Sequence, residues 1–217
     1  MRLQPIRAQV LAVKMIPNVN SYMSEKFRLK PHQKSLGMLT TTIDDVGYTA
    51  VDEATKKADV EVIYARSFYA GSAHASGPLS GEFIGILAGP NPAEIRSGIN
   101  AAVELMEAGA CFYAANDDGS LAFYPQVISR TGSYLSKVAE IPEGEPLAYL
   151  IAPPLEAMYA LDAALKAAEV RLAAFYGPPS ETNFAGGLLT GTQSACKAAA
   201  DAFRDAVLEV ADFPLKF

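Results

Sequence analysis

Apolar residues recur along this chain at two spacings, one typical of amphipathic helices and one typical of strands. Residues 51–64 combine both, because a helical pattern runs directly into a strand pattern. The same helix–strand pattern returns 110 residues later, over residues 161–174. Five of the first ten aligned positions are identical, namely Asp52/Asp162, Ala54/Ala164, Lys56/Lys166, Ala58/Ala168 and Val60/Val170. This agreement indicates an internal repeat.

A strand followed by a helix supplies a second pair of matching segments. Residues 86–108 align with residues 188–210 at an offset of 102, with identities at Gly89/Gly191, Ala93/Ala195 and Glu107/Glu209. The offset changes between the two matches, where the first copy has the loop 67–81 and the second has the shorter loop 176–180. Surface loops tolerate insertions best, so the sequence predicts a duplicated domain. We place the first domain at residues 1–109 and the second at residues 110–217.

The remaining patterns predict further strands and two short helices. The predicted strands cover residues 6–16, 35–42 and 83–88 in the first half, and 110–115, 121–128, 147–152 and 185–190 in the second. Asn20 or Ser21 is expected to cap one short helix and Thr131 the other, because these side chains accept amide protons of a first turn. Each half therefore combines strands with two main helices. This combination predicts the α+β class, with a sheet packed against helices.

Composition and charge exclude several classes of function. The formal net charge is −6 and no basic run is present, so nucleic acid is not an expected partner. No apolar stretch is long enough for a membrane span and no secretory signal is recognisable, so we expect a cytoplasmic protein. Cys111 and Cys196 form no CxxC pair, and only two histidines are present, so we expect no metal site. The sequence carries no nucleophile-elbow, phosphate-loop or zinc-protease motif and gives no case for an enzyme.

Three carboxylates, Asp44, Asp45 and Glu82, are the strongest candidates for polar chemistry, although no motif marks them as catalytic. Asp44 and Asp45 stand where a helix is predicted to begin, and carboxylates there meet the positive end of the helix dipole. Helix capping is therefore an alternative explanation for this pair, and one residue could serve both purposes.

The second copy carries a recognisable family pattern. LAYLIAPPLEAMYALDAALKAAEVRLAAF is followed, after a loop, by GLLTGTQSACKAAADAFRDAVLEVA. This order of strand, alanine-rich helix, strand, loop, strand and alanine-rich helix resembles the bacterial microcompartment shell domain. Strings such as GPNPAEIRSGI and SRTGSYLS are similar to tandem-domain shell proteins of the ethanolamine-utilisation branch, over about residues 6–210. The resemblance implies two circularly permuted domains and a homotrimer that forms a pseudohexamer. Such tiles would meet other shell proteins through their edges, in the shell of a cytoplasmic microcompartment.

The same resemblance implies a gated central pore and small pores within each subunit, with ethanolamine bound near the small pores. The ligand-binding residues that it indicates are Asp44, Asp45, Glu82, Phe112 and Thr182. An ammonium group suits carboxylates and an aromatic face, so the residue types are appropriate. No cofactor is required, although the resemblance allows cobalamin as a further ligand. A soluble ligand-binding sensor or regulator built on the same domain pair is the alternative.

Overall fold

The computed structural model describes residues 2–68, 82–180 and 183–216. Within these ranges the chain forms strands and helices in alternating groups. The strands are β1 (Pro5–Ile6), β2 (Val10–Ile16), β3 (Ser35–Thr41), β4 (Glu61–Phe68), β5 (Glu82–Gly89), β6 (Phe112–Ala114), β7 (Ala122–Ile128), β8 (Leu147–Ala152), β9 (Arg171–Tyr176) and β10 (Ala185–Thr190). The helices are α1 (Ser21–Lys26), α2 (Asp44–Lys57), α3 (Pro92–Glu104), α4 (Ser133–Ala139), α5 (Pro154–Ala167) and α6 (Gln193–Asp212). A π-helical turn, Leu105–Gly109, continues α3.

The strands form two antiparallel sheets, and four strands of the second have the same order as the four strands of the first. The first sheet has the order β2-β3-β5-β4, and the second has the order β1-β6-β7-β8-β10-β9. The units β3-α2-β4-β5-α3 and β8-α5-β9-β10-α6 follow one another with the same connections and the same strand neighbours. The predicted α+β class and the tandem repeat are thereby confirmed.

The first predicted strand is wrong in one respect, because residues 6–16 do not form a single strand. Pro5 and Ile6 pair with Tyr113 and Phe112 in the second sheet, whereas β2 pairs with β3 in the first. The chain crosses between the sheets at Gln9, whose backbone N–H donates to the Thr42 hydroxyl at 2.9 Å. The Gln9 carbonyl accepts hydrogen bonds from the Thr41 hydroxyl and the Thr42 N–H at the end of β3. These bonds hold the crossing segment to the first sheet. The domain boundary at residues 109 and 110 stays a prediction.

Helix α2 lies between the two halves of the chain. One face of the second sheet packs on α5 and α6 through an alanine-rich core. The opposite face carries Tyr124, Tyr149 and Ile151, which share a core with the buried residues of α2 and the first sheet. Both sides of α2 are covered, so even several of its polar side chains are withdrawn from water. Three of its carboxylates are buried, namely those of Asp44, Asp45 and Asp52. Buried carboxylates require hydrogen-bond partners, so the sequence of α2 fixes contacts across the interface.

The cap predicted for the first short helix, α1, is present, whereas the cap predicted for the second, α4, is not. Asn20 caps α1, and Asn91 caps α3 by accepting the amide protons of the first turn, with Pro92 at the first helical position. Thr131 does not cap α4, because its hydroxyl donates to the Glu145 carbonyl instead. The cap comes from α2, where the Asp52 carboxylate accepts the N–H groups that begin α4. Asp52 lies far from α4 in the sequence, so no local sequence pattern indicates this cap. The prediction that Thr131 caps α4 is therefore wrong. None of the helices in the described ranges is both long and apolar enough to cross a bilayer.

Candidate functional site

A pocket of about 780 Å³ lies between the two halves of the chain. Helix α2 and strand β4 supply its wall on the first half, and α4, β8 and the end of β9 supply its wall on the second. We call it the acidic pocket, and it is lined by Asp44, Asp45, Tyr48, Ala65, Arg66, Ser67, Tyr134, Leu135, Val138, Tyr149, Ile151, Tyr176, Gly177, Pro178, Pro179 and Ser180. Its volume falls in the range typical of small-molecule sites.

The two carboxylates at the start of α2 are both buried in the wall of the acidic pocket. The Asp44 Oδ2 atom accepts a hydrogen bond from the Ser67 hydroxyl at 2.7 Å, and Tyr48 in turn contacts the Ser67 hydroxyl at 2.9 Å. The Asp45 Oδ1 atom accepts a hydrogen bond from the Tyr149 hydroxyl at 2.7 Å. The Asp45 Oδ2 atom is buried without a hydrogen-bond partner among the described residues. This carboxylate oxygen therefore has hydrogen-bonding capacity that no described residue uses.

Burial raises the pKa of the Asp45 carboxyl well above its ordinary value of 3.8. The charge of Asp44 raises it further, and the hydrogen bond from Tyr149 offsets part of the increase. A desolvated carboxyl beside a second carboxyl takes up a proton unless a cation balances the charge. The surroundings of Asp45 therefore favour its protonated form, and a bound cation would favour its ionised form.

Four tyrosines surround the carboxylates and give the acidic pocket its aromatic character. Tyr48 and Tyr134 stack with ring centroids 6.3 Å apart and an interplanar angle of 7°. Tyr149 and Tyr176 are in tilted contact, with ring centroids 6.2 Å apart and an interplanar angle of 41°. Burial raises the pKa of each of these four tyrosines, so all four hydroxyls stay protonated at neutral pH. An acidic floor within aromatic walls is suited to an organic ammonium group.

The tyrosines are the part of the pocket that sequence reasoning missed. Tyr149 lies in β8, whose six residues are all buried and otherwise apolar. A buried tyrosine hydroxyl usually finds a hydrogen-bond partner, so this residue carried a recognisable signal for a polar neighbour. No such signal marked Tyr48, Tyr134 and Tyr176, because none of them lies in a fully buried apolar strand.

Comparison with known proteins identifies the family. The family profile of the BMC domain matches residues 35–116. The bacterial microcompartment shell protein EutL of Clostridium perfringens (strain 13 / Type A) is 63% identical over 212 residues, which cover 98% of each chain. The chain belongs to the EutL family of bacterial microcompartment shell proteins. The EutL shell protein of Escherichia coli (strain K12) is 54% identical over 97% of this chain and 96% of the relative.

The fold supports the same family assignment. The crystal structure of the ethanolamine utilization protein EutL from Leptotrichia buccalis C-1013-b superposes with a TM-score of 0.94 and 64% identity, covering all of both chains. As a member of the EutL family the chain is a structural shell protein of a bacterial microcompartment and not an enzyme. The sensor alternative has no relative among these matches.

Two of the remaining predicted ligand residues, Glu82 and Phe112, do not line the acidic pocket. Glu82 begins β5 and is fully buried, with neither carboxylate oxygen hydrogen-bonded to a described residue. It pairs with Phe68, the residue after Ser67, and so lies at the same end of the first sheet. Phe112 is buried and stacks on Tyr124, with ring centroids 5.0 Å apart. Thr182 lies outside the described residues. The structure thus groups Asp44 with Asp45, and the ligand set as a whole stays a prediction.

Helix capping accounts for only part of the acidic pair. The N-cap residue of α2 is Ile43, which has no side chain able to cap. The Asp44 Oδ1 atom accepts the N–H of the next residue, Asp45, at 2.9 Å and so occupies one free amide of the first turn. The Asp45 carboxylate instead bonds to Tyr149 across the pocket. No group of three or more His, Cys, Asp or Glu side chains that could hold a metal occurs among the residues described.

Proposed function

We propose that three copies of this chain form a pseudohexagonal tile in the shell of an ethanolamine-utilisation microcompartment. The tandem repeat supports this arrangement, because three chains with two similar domains each fill six equivalent positions around an axis. The named role of the Leptotrichia buccalis relative, ethanolamine utilization, is the source of the compartment assignment. In this proposal the tile has a gated central pore, and other shell proteins contact its outer edges.

The acidic pocket is proposed to bind ethanolamine. The observation that carries the proposal is Asp45, which is buried in a pocket walled by four tyrosines and whose Oδ2 atom has no hydrogen-bond partner among the described residues. Ethanolamine is protonated at neutral pH, so its ammonium group can donate to this oxygen while the aromatic faces surround the rest of the cation. The hydroxyl of the ligand would be free to bond to Ser67 or to a tyrosine hydroxyl. The pocket is larger than ethanolamine, so we expect the ligand to occupy only the part of the pocket beside Asp44 and Asp45.

Glu82 supports a cationic ligand for a related reason. Glu82 is a buried carboxylate with no hydrogen bond to a described residue, which is costly, and a bound cation would remove most of that cost. Phe83, the next residue, packs against Tyr48 with centroids 4.8 Å apart, so the start of β5 adjoins the first turns of α2. Glu82 is therefore proposed as a second negative charge that favours a cation at this end of the fold.

Calorimetric titration with ethanolamine tests the ligand assignment. Asp45→Asn keeps the shape and the Tyr149 acceptor but removes the charge, and it should weaken binding by about ten- to a hundred-fold. Asp45→Ala and Glu82→Ala should also weaken binding without dissolving the trimer. Asp205→Asn, whose side chain is 67% exposed on α6, is the matched control and should bind as wild type does. Ethylene glycol, which lacks the ammonium group, should not bind; unchanged affinity in Asp45→Asn would remove the carboxylate from the site.

Cobalamin binding stays a prediction from the family resemblance. The acidic pocket offers carboxylates and tyrosines, which suit an ammonium group. Titration of the same trimer with cobalamin, with and without saturating ethanolamine, would establish whether a second ligand binds and whether the two compete.

A further inference from the structure

The acidic pocket carries a positive charge in addition to its two carboxylates. Arg66 belongs to its lining and is the one basic residue there among the residues described. Arg66 is exposed, and its side chain makes no hydrogen bond or ion pair with a described residue. Asp44 and Asp45, in contrast, are both buried. The pocket therefore has negative charge in its buried part and positive charge where its wall meets solvent.

Arg66 reaches the pocket from the outermost strand of a sheet. Strand β4 ends the order of the first sheet and β9 ends the order of the second, and both strands contribute to the pocket lining. The repeat, with its offset of 110, aligns Arg66 of β4 with Tyr176 of β9, which also lines the pocket. The two outermost strands thus bring equivalent positions of the repeat to one pocket, the first as a guanidinium group and the second as an aromatic ring.

The Arg66 guanidinium does not neutralise Asp45. Burial raises the pKa of Asp45, the charge of Asp44 raises it further, and the opposing effect comes from the Tyr149 hydroxyl and not from Arg66. The charge of Arg66 acts instead on Tyr134, whose pKa is raised by burial and partly lowered again by the guanidinium. Because a guanidinium close to a carboxylate lowers the pKa of that carboxylate, Arg66 lies nearer to Tyr134 than to Asp45.

The volume of the pocket leaves room between these separated charges. Ethanolamine beside Asp44 and Asp45 would fill only a small part of about 780 Å³, and the rest of the lining includes Arg66. A ligand that holds its ammonium group beside Asp45 can therefore extend toward the guanidinium. The charge at the far end of such a ligand then decides its affinity, because the guanidinium attracts an anionic group and repels a second cation.

We propose that Arg66 determines which class of ammonium ligand the acidic pocket accepts. The favoured class is a zwitterion, with its ammonium group beside Asp45 and an anionic group at the far end, where the guanidinium can donate charge-assisted hydrogen bonds to it. A diamine is disfavoured, because its second ammonium group meets the guanidinium. This role of Arg66 rests on the proposed binding of an ammonium ligand in the acidic pocket, and it adds to that site a residue that sets specificity.

Calorimetric titration with ligands of matched length tests this role. The ligands 3-aminopropanol, β-alanine and 1,3-diaminopropane each carry an ammonium group at one end, and their far ends are a hydroxyl, a carboxylate and a second ammonium group. Each is titrated into the wild-type protein and into Arg66→Gln. The substitution should weaken the binding of β-alanine and tighten that of 1,3-diaminopropane, each by about three- to ten-fold, and it should change that of 3-aminopropanol by less than about two-fold.

Arg171→Gln is the matched control. Arg171 is also an exposed arginine on an outermost strand, but it lies at the opposite end of β9 from Tyr176 and does not line the pocket. This variant should bind all three ligands as wild type does. High salt provides a second control, because screening of the exposed guanidinium should reduce the differences that Arg66→Gln causes.

The possible results separate the role of Arg66 from the proposed function. Equal changes for all three ligands in Arg66→Gln, with all three weakened by Asp45→Asn, would overturn the role of Arg66 and leave the ammonium site in place. Binding of β-alanine that Arg66→Gln weakens, without any binding of ethanolamine, would support the role of Arg66 and overturn ethanolamine as the ligand. Failure of every one of these ligands to bind the wild-type protein would overturn both.

Discussion

The Tyr149 hydroxyl donates a 2.7 Å hydrogen bond to the Asp45 carboxylate and so joins the two halves of the chain at the acidic pocket. Tyr149 lies in β8 of the second half, and Asp45 lies in the first turn of α2. The pair connects the fold to the proposed function, because the other oxygen, Asp45 Oδ2, has no partner among the described residues and is the atom that we propose contacts the cation.

Replacing Tyr149 with Phe should destabilise the protein and alter the pocket together. The change leaves Asp45 with no hydroxyl donor, and a buried acceptor without a partner costs about 1–3 kcal/mol. The free energy of unfolding in urea measures this effect. Tyr64→Phe, at a 43% exposed position on β4, is the control and should stay within about 0.5 kcal/mol of wild type. Equal stability of the two variants would mean that the Asp45–Tyr149 contact contributes little.

The raised pKa of Asp45 predicts a specific pH dependence of stability. The unfolded chain releases the Asp45 proton near pH 3.8, while the folded chain holds it to higher pH. Stability should therefore fall as the pH rises through the window between these two pKa values, by at most about 1.4 kcal/mol per pH unit. Asp45→Asn lacks this proton, so urea unfolding across that window should show wild type losing stability relative to the variant. A constant difference between the two proteins would contradict the raised pKa.

Asp52 is expected to be the costliest carboxylate to remove. It is fully buried and accepts the N–H groups of Gly132 and Leu135, so Asp52→Ala leaves two buried donors unsatisfied. Loss of the cap and of these bonds should lower the free energy of unfolding by about 2–4 kcal/mol. Asp205→Ala, at an exposed position of α6, should change it by less than about 0.5 kcal/mol. A small effect of Asp52→Ala would show that water replaces the carboxylate at the start of α4.

Gly132 should tolerate no side chain. A Cβ atom there would lie 2.2 Å from the Thr55 hydroxyl oxygen and 2.5 Å from the Asp52 carbonyl oxygen. Because the second contact is with backbone, α4 would have to move away from α2, and we expect Gly132→Ala to cost about 2–3 kcal/mol in thermal or urea unfolding. Gly177→Ala is the control, since its Cβ would meet Phe175 at an ordinary 3.6 Å. If both variants unfolded alike, the packing of α4 on α2 would be looser than the structure indicates.

The repeat and the class of fold followed from the sequence because they depend on local periodicity. The duplication aligned α2 with α5 and β5 with β10 in sequence, and the α+β class followed from the order of the elements. The crossing of the N-terminal strand was not foreseen, because Pro5–Ile6 and Val10–Ile16 read as one apolar run and only tertiary pairing separates them.

The acidic pocket was only partly predictable for a similar reason. Asp44 and Asp45 stood out as adjacent carboxylates at a helix start, and they line the pocket. The repeat also aligned Asp52 with Asp162, but it did not reveal that one is buried and caps α4 while the other is exposed. Their roles differ because α2 lies between the halves of the chain, and such a position is not encoded in a local pattern.

We propose that this chain is a tile that closes as a trimer and assembles into sheets. Light scattering of the purified protein, followed by electron microscopy of the same concentrated sample, tests this assembly. We predict a mass three times that of the 23.0 kDa chain, together with flat hexagonal arrays. A monomer that forms no arrays at any concentration would contradict the claim.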